Sequence, residues 1–169
     1  GNDDVAFLLD LDTSVTSADV LFESSGAGTS TFTTGDNEAL LVNSDAATVR
    51  FELNDVTFNN SSATDRTTNI NITDGQFSST VLDNTFTNSL AGGEFRMNAE
   101  GVTANALLNL DNNTASAGGG SFLLREAGGA DFDVQDRDDV AANNKDTVTF
   151  DPAIGNFDSI TGPIDRPTF

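Results

Sequence analysis

Residues 69–93 read NINITDGQFSSTVLDNTFTNSLAGG, and they decide the fold once set beside the segments that follow. From Phe95 the chain reads FRMNAEGVTANALLNLDNNTASAGG, from Phe122 FLLREAGGADFDVQDRDDVAANNKD, and from Val148 VTFDPAIGNF. Each segment opens with apolar and polar residues in alternation, the signature of a strand with one buried face. A glycine follows soon after (Gly75, Gly101, Gly128 and Gly155), then a second apolar patch, then a turn rich in Asn, Asp, Ser and Thr. The period is roughly 26 residues. One coil earlier, FELNDVTFNN from Phe51 aligns with NINITDGQFSS at a spacing of about 19, which matches Phe58 to Phe77 and Asp55 to Asp74.

A constant strand pattern with turns of variable length predicts a right-handed parallel β-solenoid (β-helix) of about five to seven coils. A single coil cannot bury its own apolar face, so coils stack about 4.8 Å apart. Residues 48–157 are read as regular coils, residues 1–47 as irregular coils or a cap, and residues 158–169 as a tail, all in one domain. The competing fold is an antiparallel β-sandwich. Its hairpin signals are weak, because Asn-Gly does not occur and the only Asp-Gly is Asp74-Gly75.

Composition narrows the chemistry. The 169 residues include 13 Phe but no Tyr or Trp, so the amphipathic rings that stack sugars and bases are missing. With no Cys and no His, thiolate and imidazole catalysis and soft-metal sites are excluded. The net charge of −20 repels nucleic acid and anionic membranes.

The run GGADFDVQDRDDVAANNKDTVTFDPAIGNFDSI resembles coils of large bacterial surface proteins of the right-handed β-helix class, similar to autotransporter passengers and repeat-built adhesins. That resemblance implies a secreted or cell-surface location and a structural or adhesive role. It carries no catalytic residues, and the chain is read as non-enzymatic.

Hard oxygen donors gather at Asp131, Asp133, Asp136 and Asp138, and calcium is the ligand they suit. Gly128-Gly129-Ala130-Asp131-Phe132-Asp133 only approximates the calcium β-roll repeat, with Asp131 where a third Gly belongs and one copy where several are needed. The bland reading of these aspartates is a solvated turn that keeps the coils soluble. The Asn pairs at 59–60, 112–113 and 143–144 could stack as an amide ladder, but the reading adopted is that Asn tolerates left-handed turns. Gly92-Gly93 and Gly118-Gly119-Gly120 read as turns.

Two functional readings compete. In the first, the chain is a structural subunit that stacks head to tail with copies of itself through uncapped coil ends. The expected contact residues are Val5, Phe7, Leu9 and Leu11 at one end and Ile164 and Phe169 at the other. In the second, it is a ligand-binding passenger segment of a larger adhesin, with residues 61–66 and 135–145 as the contact surface.

Overall fold

A computed structural model describes residues 5–24, 29–35, 37–62, 64–88, 94–115 and 121–167. The chain is a parallel β-solenoid of about five turns with almost no helix. The first coil comprises β1 (Phe7–Leu11), β2 (Ala18–Glu23) and β3 (Ser30–Thr34). The second comprises β4 (Leu40–Ser44), β5 (Thr48–Asn54) and β6 (Val56–Asn60), and the third β7 (Thr68–Ile72), β8 (Gln76–Leu82) and β9 (Thr85–Asn88). The fourth comprises β10 (Phe95–Glu100), β11 (Asn105–Asp111) and β12 (Thr114–Ala115). The fifth has β13 (Ser121–Ala127), β14 (Asp131–Gln135) and the one-turn helix α1 (Val140–Asn143); the last has β15 (Thr147–Asp151) and β16 (Asp158–Ile160).

Two sheets run the length of the stack, β1-β4-β7-β10-β13-β15 and β2-β5-β8-β11-β14-β16, and a third, β3-β6-β9-β12, spans the first four coils. Among the described residues every strand pairing is parallel, which excludes the antiparallel sandwich. The first coil pairs in register with the second, Leu9 over Val42 and Phe32 over Phe58, so the early strands continue the same stack.

Parallel in-register stacking places like residues on like residues, and the core is a set of phenylalanine columns. Phe32, Phe58 and Phe86 stack nearly flat at 5.3 and 5.7 Å between centroids. Phe22, Phe51 and Phe77 form a tilted column at 5.9 and 5.6 Å that runs diagonally, two residues out of register at each step. Each such pair contributes about 0.5–1.5 kcal/mol beyond area burial.

The corners explain why the chain turns where it does. Between the first and second sheets, Gly75 has φ 69°, Gly101 φ 117° and Gly128 φ 65°. A Cβ on Gly75 would sit 2.1 Å from the Ala46 carbonyl oxygen, so the neighbouring coil forbids a side chain there. Between the second and third sheets, one left-handed residue makes the turn: Asp55 (φ 54°), Asp83 (φ 58°) and Asn112 (φ 52°). Asp and Asn pay the smallest penalty for that conformation after Gly.

Behind those turns the amides do form a ladder. Asn84 Oδ1 accepts from the Val56 amide, Asn113 Oδ1 from the Asn84 amide and Nδ2, and Asn144 Oδ1 from the Asn113 amide and Nδ2, all at 3.0 Å. The Nδ2 groups donate onward to Leu53 O, to Val81 O and to Leu110 O. The left-handed reading of the Asn pairs therefore holds at Asn112, while Asn113 and Asn144 are buried rungs.

Three details of the repeat reading are corrected. Phe58 lies beside Phe86 and Phe77 beside Val49, so the 19-residue alignment is wrong; Phe51 pairs with Ser79 instead. Asp55 turns the chain into the third sheet, which a local comparison cannot detect. Residues 48–157 supply about four of the turns, fewer than the five that their repeat spacing predicts. Gly155 lies in a 3₁₀ turn (Ile154–Asn156) with open space around it and does not repeat the glycine corner.

After β16 the chain leaves the coil path. Arg166 reaches Glu52 on β5, 114 residues away in sequence, with Nε donating to Oε2 at 2.9 Å and a second guanidinium bond to Oε1. Because β14, β11 and β8 lie between β16 and β5, the tail crosses the outer face of the second sheet as a strap. Glu52, Ser78 and Thr80 alternate outward with the core residues of β5 and β8, yet are buried.

Candidate functional site

Two features of the solenoid carry functional meaning: its ends and a group of carboxylates on one face.

At the first end the core is open. Phe7 on β1, the register partner of buried Leu40, is 37% exposed, while Leu8 and Leu21, paired with Leu41 and the outward Glu52, stand on the outer faces. Leu9, Val20, Phe22 and Phe32 are only partly buried, whereas their register partners Val42, Phe51, Leu53 and Phe58 are fully buried. The contrast measures what one more coil would cover. At the other end β15 and β16 are the outermost strands. Val148 and Phe150 are partly buried, against full burial of Phe122 and Leu124 beneath them. The third sheet ends at β12, beyond which the segment with α1 takes its place: Asn112 N donates to Asn143 O at 2.9 Å, and Val140 is buried.

Of the expected contact residues, Val5 is half-buried, Phe7 is exposed, Leu9 is partly buried and Leu11 is in the core. Ile164 is 8% exposed and belongs to the strap, so that segment is occupied within its own chain. Phe169 lies outside the described residues, as do Gly92-Gly93 and Gly118-Gly119-Gly120.

The carboxylate group sits on the second sheet. Asp131 and Asp133 are two apart on β14 and so share its outer face; Asp158 on β16 is the register partner of Asp133. One oxygen from each lies within 4.8 Å of the others. Asn105 Nδ2 donates to Asp131 Oδ2 at 3.3 Å. Partial burial, then the negative charges of Asp131 and Asp158, push the Asp133 carboxyl above its ordinary range. Glu126 is raised in the same way, by burial first and then by Asp131, with Asp158 and Asp133 adding to it.

Asp136 and Asp138 lie outside this group. Asp136 is a left-handed turn residue whose amide donates to Ile160 O at 3.0 Å, and Asp138 pairs with Arg137 at 2.9 Å. Asp158 was not singled out from the sequence. The signal available was the coil period, since Asp158 stands one coil on from Asp133. No family model, curated protein or solved structure matches this chain. The resemblance to bacterial surface proteins is one of coil pattern, and none of the three comparisons supports it.

Proposed function

We propose that the protein is an extracellular, non-enzymatic structural subunit that stacks end to end with copies of itself into a filament. The observation that carries this reading is the open first coil, whose core residues lack on one side the cover that every later coil has. Among the described residues, β1 and β2 at one end and β15 and β16 at the other are the edge strands of the same two sheets. A head-to-tail contact would continue both sheets across the junction, and a contact of this kind does not close. The strap leaves Ile164 out of the contact, so the proposed surface is Phe7, Leu9, Val20 and Phe22 against Val148 and Phe150.

A calcium ion belongs to the proposal. Asp131, Asp133 and Asp158 offer hard oxygens suited to Ca²⁺, and a cation would offset the burial, and then the charges of Asp131 and Asp158, that raise the Asp133 carboxyl. The test of that part is thermal melting with and without a chelator; an unchanged melting temperature removes calcium from the reading.

Negative-stain electron microscopy and sedimentation velocity test assembly. Native protein is expected to form uniform thin fibres. A Phe7→Lys/Leu9→Lys double variant should stay monomeric while retaining its β-sheet circular dichroism, because damage to an end coil of a solenoid stays local. Wild-type protein that remains monomeric overturns the filament and favours the second reading, in which the open edge joins further coils of a longer adhesin polypeptide.

A further inference from the structure

The strap carries charges that match the sheet beneath it. Arg166 holds Glu52 through two guanidinium bonds, and Glu23 adds its attraction. Arg50, two residues from Glu52 on the same outer face of β5, is bonded to Asp19 and also feels the negative charge of Asp165 on the strap. Ile164 is 8% exposed, so the strap is seated by an apolar side chain as well as by charge.

The strap also has a definite length. Within its own chain it runs back from β16 past β14, β11 and β8 to β5, which is four strand spacings, or about 19 Å at about 4.8 Å each. The six residues 161–166 span at most about 20 Å when fully extended, so the clasp is drawn nearly straight. Leu21, Glu52, Thr80 and Asn109 are successive register partners along this outer face. Arg166 makes its contact on β5, and Leu21 on β2, the next strand, is left 37% exposed. In an end-to-end stack β16 abuts β2 of the next copy. Glu52 of the partner subunit then lies two spacings ahead of β16, about 10 Å, with Leu21 of the partner subunit on the way. The same bond is made at half the reach.

We propose that straps are exchanged in the filament: residues 161–166 of each copy cross the junction and clasp Arg50 and Glu52 of the next copy instead of their own. This rests on the end-to-end reading and deepens it. The core contact at the junction is unchanged, and the strap, held within its own chain in the free subunit, becomes a second contact. Exchange of an identical element keeps the charge pairs made, because each copy gives one strap and receives one. It covers Leu21, and it uncovers Ser78 and Thr80, whose hydroxyls bond to water.

The test mixes complementary variants and follows assembly by light scattering and negative-stain electron microscopy. Arg166→Glu and Glu52→Arg each set like charges in the clasp, and each alone should raise the concentration needed for fibres about tenfold or more. An equimolar mixture should restore fibres near the wild-type concentration, since each variant's strap meets an opposite charge only on a copy of the other kind. Single variants that assemble like wild type overturn the exchange. So does rescue by the Arg166→Glu/Glu52→Arg double variant without rescue by the mixture, because a clasp closed within one chain predicts that pattern; the filament then stands. Wild-type protein that forms no fibres overturns both. A second measurement keeps the Arg166–Glu52 pair and uses exposed positions. The chain has no cysteine, so Leu21→Cys and Asp165→Cys proteins are mixed, assembled and oxidised. Exchange predicts an interchain disulfide. With straps kept in their own chains the two positions on neighbouring copies are five spacings apart, about 24 Å, and fibres without the link overturn the proposal.

Discussion

Replacing Asn113 with Ala is the sharpest probe of how the coils are held. The Asn113 side chain is fully buried and makes four hydrogen bonds at a time, its two Nδ2 hydrogens being shared among three acceptors. It accepts from the Asn84 amide and from Asn84 Nδ2, and donates to Val81 O, Asp111 O and Asn144 Oδ1. A net contribution of about 1 kcal/mol per bond, with buried groups left without partners, gives a loss of about 4 kcal/mol. At about 2–4 °C per kcal/mol for a chain of this size, the melting temperature should fall by about 10 °C. The assay is urea denaturation followed by circular dichroism, with Asn59→Ala as the control. Asn59 is half-buried and its side chain makes no hydrogen bond among the described residues, so its removal should cost under about 0.5 kcal/mol. A loss below about 1 kcal/mol for Asn113→Ala would refute the reasoning, because it would mean the ladder exchanges freely for water.

Two further outcomes follow from the corners and the carboxylates. Gly75→Ala should destabilise by about 3 kcal/mol or more, since a left-handed backbone and a 2.1 Å approach to Ala46 O are both violated; Gly129→Ala, whose nearest atom is the flexible Val102 side chain at 3.2 Å, should lose about 1 kcal/mol in the same denaturation assay. Asp133 and Glu126 titrate above their unfolded values, so the folded protein binds their protons more tightly and stability falls as pH rises through that window. In the presence of chelator, Asp133→Asn should therefore raise the melting temperature at neutral pH, and the gain should shrink as the pH is lowered into the ordinary carboxylate range. A gain that does not change with pH would exclude repulsion as its source.

Much of the solenoid is legible in the sequence, because stacked strands demand the same apolar residues at the same place in every coil. Phe95 over Phe122 and the glycines at 101 and 128 are visible by eye. The register around Phe51 is not. Alternation runs through FELN and VTFNN with only Asp55 between them, and nothing local announces that this one residue turns the chain into another sheet. The Asn pairs hide a division of labour for a similar reason: Asn112 bends and Asn113 binds, though the two residues are chemically identical. The Asp133–Asp158 pair and the Arg166–Glu52 clasp join residues a full coil or more apart, and they emerge only once the spacing of each turn is known.

The strap changes how such a stack comes apart and comes together. In a solenoid each coil touches only its neighbours, so an end can fray one layer at a time. Here Arg166 on the last segment grips Glu52 in the second coil, and it can do so only after the coils between them are in place. The tail is then a completion check, closing late and over a long loop, after which losing any middle coil means losing the clasp as well. The layers from the second coil to the last, which could have melted in sequence, are thereby coupled, while the first coil lies outside the clasp.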